Sequence, residues 1–172
     1  QRKWEYMEAW ELLRKKGIKA YVNCVRREWD SYLWVQEELK NSKKITYTVT
    51  GGDWGLCCNG IHMIDLLLFL TGETDFHIDN SKIDKEIVES KRKGFYELYG
   101  TIRGRTRKCS SFEISSLKDS SSPSLVLVTS DICNLMIDEE NKQVFVSSKE
   151  NEWRWEKREF ICPYQSQLSA KE

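Results

Sequence analysis

The sequence lacks an excess of charge of either sign: 27 Lys+Arg stand against 27 Asp+Glu, a formal net charge of zero. A dedicated nucleic-acid binder normally carries a basic surplus, so no nucleic-acid partner is expected. Long apolar runs are missing as well. The longest, residues 61–70, is too short to cross a bilayer and carries His62 and Asp65, so no membrane partner is expected either. No basic-plus-apolar leader opens the chain, which starts inside a helical pattern and reads as a piece of something longer. Prolines number only two beside seven tryptophans, which excludes a disordered chain. No G-x-G-x-x-G and no Walker A sequence occurs, so no nucleotide-cradling loop is visible.

Paired cysteines are also absent. Six cysteines are present, none in a C-x-x-C, and the adjacent Cys57 and Cys58 suit neither an ordinary disulfide nor a zinc knuckle. Cys24, Cys133 and Cys162 lie in apolar runs and read as small buried hydrophobes. Reduced thiols, and with them a cytoplasmic location, are expected.

What is present is patterned. Trp4, Met7, Trp10 and Leu13 recur at helical spacing and Gly17 stops the run. Residues 19–25 read as a short buried strand, which makes helix, glycine and strand the second half of a β-α-β unit. A second helix is expected from Asp30 or Ser31 to about residue 41. Residues 45–50 alternate as a half-buried strand that Gly51-Gly52 breaks, and a strongly apolar helix follows over 56–70. Seven strands are then predicted, over 82–90, 94–103, 107–115, 125–130, 132–138, 143–148 and 153–161. Their short polar links favour an antiparallel meander. The fold class is therefore α+β: a large, mostly antiparallel open sheet with helices packed on one face.

The helix over 56–70 carries the chemistry. Cys58, His62 and Asp65 are spaced i, i+4 and i+7 and share one stripe of an otherwise apolar helix. A buried polar stripe needs water, a ligand or a polar partner, because an unpaired group costs ~1–3 kcal/mol. Three readings stand side by side. His62 and Asp65 form a satisfied core pair; or the stripe belongs to an active site, which the glycines of Gly51-Gly52-Asp53-Trp54-Gly55 favour by allowing close approach to a helix start that itself attracts negative charge; or Cys58, His62 and Asp65 ligate a metal. Against the metal, the only other histidine is His77, and no second ligand cluster exists. A Cys58–His62 thiol enzyme would need a geometry that one shared helix rarely provides.

Outside that helix, Arg26 and Arg27 follow a strand end, where α/β proteins place ligands, and are candidates for contacting an anionic group or for a salt bridge. The basic run Arg103 to Lys108 reads as a solvated turn. Trp153 and Trp155 share a face of the last strand, suited to a core, an interface or a sugar ring.

In order and spacing, the stretch from Val22 to Arg27, the Thr-rich strand, the run from Gly51 to Leu56 and Asn59-Gly-Ile-His-Met-Ile-Asp65 together resemble the Gfo/Idh/MocA oxidoreductases, relatives of glucose–fructose oxidoreductase and inositol dehydrogenase. The resemblance covers residues 4–70 by motif and the β-rich remainder by architecture. It implies an N-terminal Rossmann domain binding NAD(P) and a second α+β domain that shapes a pocket for a sugar-like substrate and packs in homo-oligomers through its sheet. Residues 1–27 would be the end of the first domain. Residues 28–172 would be the second, continuing in relatives beyond residues 164–172 into a final helix. His62 would be the catalytic acid/base, taking the proton of a substrate hydroxyl while hydride passes to the cofactor. Arg26, Arg27, Trp54, Cys58, Asn59 and Asp65 would shape the substrate site, with Asp65 as a positioning residue. Two features depart from the family. Its aspartate four residues before the histidine is Cys58 here, with Asn59 beside it, and its Glu-Lys-Pro sequence is absent. The competing expectation is a non-catalytic binding or assembly module in which His62 is structural.

Overall fold

The computed structural model describes residues 2–20, 23–90 and 92–163. Helix α1 (Lys3–Lys15) ends at Gly17, whose φ of +63° suits a residue without a side chain. The helix buries none of its residues, and its apolar stripe stays open, with Trp4 52% and Trp10 53% exposed. The strand expected over 19–25 includes Tyr21 and Val22, which lie outside the described residues. Its described remainder is irregular up to a 3-10 turn over Val25–Glu28.

Helices α2 (Asp30–Leu39) and α3 (Leu56–Thr71) pack against each other on one face of the sheet, and the strand β1 (Ile45–Gly52) connects them. Ten strands follow the chain: after β1 come β2 (Phe76–Ile83), β3 (Val88–Glu89), β4 (Tyr96–Glu97), β5 (Gly100–Thr106), β6 (Ser111–Leu117), β7 (Leu125–Ser130), β8 (Cys133–Asp138), β9 (Gln143–Ser148) and β10 (Glu156–Glu159). Eight form one sheet in the order β10-β9-β8-β7-β1-β6-β5-β2, and β3 and β4 make a separate hairpin. The α+β class and the largely antiparallel sheet are as the sequence predicts. One pairing is parallel, β1 with β6.

Tyr47, Val49, Phe112, Ile114, Val126, Val128, Leu135, Ile137, Val144 and Val146 alternate along five strands and point one way. They meet Tyr32, Val35 and Leu39 of α2 and Met63, Leu66, Leu67 and Leu70 of α3, and this is the core. Each such side chain contributes ~1.5–3 kcal/mol when fully buried. No helix among the described residues is long and apolar enough to cross a membrane.

Several boundaries differ from the sequence reading for physical reasons. β1 runs through Gly51-Gly52 instead of stopping before them. It lies between β6 and β7, so the connection from β6 to β7 must cross its end. The serine-rich loop makes that crossing: Gly52 N–H donates to the Ser122 carbonyl at 3.0 Å and Asp53 N–H to the Leu117 carbonyl at 2.9 Å. A Cβ on Gly52 would lie 2.1 Å from the Ser120 carbonyl oxygen. The glycines therefore leave room for the crossing loop. The basic run is mostly strand, not turn: Arg103 pairs with Glu113 and Arg105 with Asp79 on neighbouring strands. Trp153 and Trp155 precede β10 and are exposed.

Candidate functional site

The 3-10 turn before α2 is tied down by both of its arginines. Arg26 donates from Nε and Nη2 to the two carboxylate oxygens of Glu139, each at 2.7 Å, and Tyr32 Oη donates to the same carboxylate at 2.6 Å. Burial works against the Arg26 charge, but the hydrogen bonds and charge of Glu139 more than offset it and hold the pKa above its ordinary value. Arg27 donates to both oxygens of Asp65 at 2.8 and 2.7 Å, and that hydrogen bonding raises its pKa against an opposing effect of burial. The salt-bridge alternative for Arg26 and Arg27 thus describes their contacts. Next to them, burial and the Asp65 carboxylate push the Cys24 thiol up.

The start of α3 is built from the run at 53–59. Gly55 takes φ +83°, which a side chain would disfavour, and turns the chain into the helix. Trp54 Nε1 donates to the Ser115 carbonyl at 2.8 Å and fixes the indole, while Asn59 Nδ2 donates to the Trp54 carbonyl at 2.6 Å. The Cys57 N–H donates to the carboxylate of Glu97 on β4. Tyr99 donates to Asp53, and this bond, with burial, pushes its pKa up to about 12. Burial and the Glu97 charge raise the Cys57 thiol.

Two cavities flank this helix. The larger, 720 Å³, is lined by Asp53, Trp54, Cys58 and Asn59 with Glu89, Arg92, Glu97, Tyr99 and Glu140 among its other walls. The smaller, 210 Å³, is lined by Asn23, Cys24, Val25, Arg26, Asn59, His62 and Asp65. Asn59 belongs to both. The structure therefore brings Arg26, Asn59, His62 and Asp65 to one cavity and Trp54, Cys58 and Asn59 to its neighbour, while Arg27 reaches the site only by holding Asp65. His62 and Asp65 do not pair with each other. Both Asp65 oxygens face Arg27, and no described residue hydrogen-bonds the His62 imidazole. Cys58 is exposed, and His62 and Asp65 are half-buried.

The sequence reading missed Glu97, Tyr99, Arg92 and Glu139. Each comes from a strand, hairpin or turn remote in sequence, so no local spacing marked it. The helix end that was expected to attract a substrate's negative charge is filled by Glu97. Among the described residues no group of three or more His, Cys, Asp or Glu is placed to hold a metal ion.

No protein-family model matches the chain. No curated protein matches it either. Solved structures do. A dehydrogenase (MviM) from Clostridium difficile is 16% identical with a TM-score of 0.63, over 88% of this chain and 49% of that one. The super-repressor mutant of Gal80p from Saccharomyces cerevisiae is 12% identical with a TM-score of 0.64, over 94% of this chain and 51% of that one. A levoglucosan dehydrogenase in complex with NADH and levoglucosan is 11% identical with a TM-score of 0.55, over 79% of this chain and 45% of that one. At these identities the shared property is the fold. The chain spans about half the length of the structures it matches.

Proposed function

We propose that residues 28–172 form the substrate-binding and oligomerisation domain of an NAD(P)-dependent oxidoreductase of the Gfo/Idh/MocA type, acting on a hydroxyl of a sugar or polyol. Residues 1–27 belong, on this reading, to the dinucleotide-binding domain, which holds the cofactor and supplies the hydride chemistry. The open stripe of α1, with Trp4, Met7 and Trp10 uncovered, supports that division, because an amphipathic helix normally buries its apolar side. The fold shared with dehydrogenase chains of about twice this length supports it as well.

One observation carries the catalytic part. His62 lines a cavity in which Arg26 is held by Glu139, Asp65 by Arg27, and Asn59 by Trp54. The half-buried imidazole bonds to none of them and has no hydrogen-bond partner among the described residues. A general acid/base must keep a nitrogen for its substrate, and this arrangement leaves the imidazole available at the cavity wall. Asp65 and Arg27 act as positioning residues behind it, and Trp54, Cys58 and Asn59 form the adjoining wall that receives the rest of the substrate. The assembly reading, with a structural His62, shares the fold of the Gal80p repressor but gives the cavity beside that imidazole no role.

Two measurements test the proposal. The coding sequence upstream of the Gln1 codon should specify a strand followed by G-x-G-x-x-G; an unrelated domain there overturns it. In the enzyme containing both domains, His62→Ala should lower kcat by ~10²–10⁴, the usual contribution of general acid/base catalysis. A loss of less than about tenfold removes His62 from the chemistry.

A further inference from the structure

The wall of the larger cleft bears on which ligands it admits. A free helix N-terminus attracts anions, because its first amides point outward unpaired and the helix dipole adds partial positive charge. At α3 one of these amides is already taken. The Cys57 amide donates to Glu97, a residue only 5% exposed, and the carboxylate sits so close to Gly55 that a Cβ there would lie 2.8 Å from its Oε2. Asp53, Glu89 and Glu140 line the same 720 Å³ cleft, and among the described residues Arg92 is the one cation lining it. The Arg92 guanidinium lies 5.7 Å from the Phe95 ring centroid, on the hairpin that carries Glu97.

We propose that Glu97 is a specificity-determining residue of this cleft. It fills the α3 anion position with the chain's own carboxylate, so that phosphate- and carboxylate-bearing ligands are rejected and an uncharged or amine-bearing polyhydroxy compound is admitted. The ligand class rests on reading the cleft as the sugar site; the charge role of Glu97 does not. An anion at this helix end must displace Glu97 from the Cys57 amide or lie beside it, and both routes place like charges together. A protonated amine meets the opposite field.

The test is a titration of the 172-residue chain, followed by the amide resonances of Leu56 to Asn59 in ¹⁵N–¹H spectra at low ionic strength. The probes are inorganic phosphate, glucose 6-phosphate, glucose and glucosamine, at about pH 6.5, where an aliphatic amine is protonated. In the wild type, phosphate and glucose 6-phosphate should leave these amides unmoved up to concentrations on the order of 10 mM, while glucosamine shifts them. Glu97→Gln keeps an accepting oxygen and the side-chain shape but removes the charge, and should bind phosphate at least about tenfold more tightly. Two results overturn the proposal: phosphate shifting the wild-type amides as strongly as those of the variant, or a folded Glu97→Gln chain with no gain. If that variant does not fold, the wild type decides, because glucose 6-phosphate binding as tightly as glucosamine overturns the proposal and the reverse order supports it. Silence of all three sugars together with a phosphate gain in Glu97→Gln keeps the charge role and overturns the sugar-site reading alone.

Discussion

Arg27 holds Asp65 with three hydrogen bonds, from Nε to Oδ2 at 2.8 Å and from Nη2 to Oδ1 at 2.7 Å and to the main-chain oxygen at 3.4 Å. This joins the turn before α2 to α3 and keeps both Asp65 carboxylate oxygens away from His62. The neighbouring pair, Arg26 with Glu139, is the more enclosed of the two, at 21% and 15% side-chain exposure against 40% and 20%. Asp65→Asn should therefore cost about 1 kcal/mol, because solvent screens a partly open pair. Arg26→Ala should cost more, about 2–4 kcal/mol, since it strands a largely enclosed carboxylate with only Tyr32 as donor. Urea unfolding of the two variants gives the order, and equal costs would contradict the stated roles.

The crossing of the β6–β7 connection over the end of β1 makes Gly52 intolerant of a side chain. Gly52→Ala must push the Ser120 carbonyl aside, because its Cβ would lie 2.1 Å from that oxygen. The expected cost is ~1–3 kcal/mol of overpacking. Gly72→Ala is the control: a Cβ there meets nothing within 4 Å, so only the strain of φ +65° is felt. Thermal unfolding should show the larger drop in Tm for Gly52→Ala.

Tyr99 gives a pH dependence with a definite sign. Its folded pKa is pushed up to about 12 by its hydrogen bond to Asp53 and by burial, whereas an unfolded tyrosine titrates near about 10. The raised value means that the stabilisation is fully present below about pH 10 and is lost as pH rises toward about 12. Denaturant midpoints measured across that window should fall in the wild type and fall less in Tyr99→Phe. Parallel declines would show that the Asp53 bond does not set the titration.

The face of the sheet turned away from the helices carries a cross-strand row, Leu127, Met136 and Phe145, in register across β7, β8 and β9. These apolar side chains are only half-buried, which suits the proposed homo-oligomer. Sedimentation velocity should show a species larger than monomer that Met136→Glu dissociates. A wild-type monomer at a concentration on the order of 100 μM would remove the proposal.

Much of the architecture could be read from the sequence where a periodic run ended in a clear stop. α1, α2 and α3 follow from apolar spacing and from Gly17 and Gly72, and the bounds of β7 and β9 coincide with the alternating runs between polar turns. The edge strand β2 begins before the predicted run over 82–90, because residues 76–82 are exposed on both faces and leave no alternation to detect. The last strand shrank to Glu156–Glu159, with Trp153 held in a turn by its N–H to the Ser148 carbonyl. The site divides in the same way. Cys58, His62 and Asp65 lie on one helix and show as a stripe. Glu97 and Glu139 reach it from strands and turns whose order in the sheet is a long-range property.

That order has a consequence in time. β1 is the first strand along the chain, yet it pairs only with β6 and β7, and its register with β6 joins Thr46 to Ser111. As the chain grows from its N-terminus, β1 has no strand partner until some sixty residues more have been made, and α3 has no finished sheet to cover. The middle of the molecule is thus completed only after the β2–β5 edge can form. A chain shortened before β7 would leave β1, the strand both helices cover, with a bare edge, so truncation there should yield aggregation rather than a smaller stable domain.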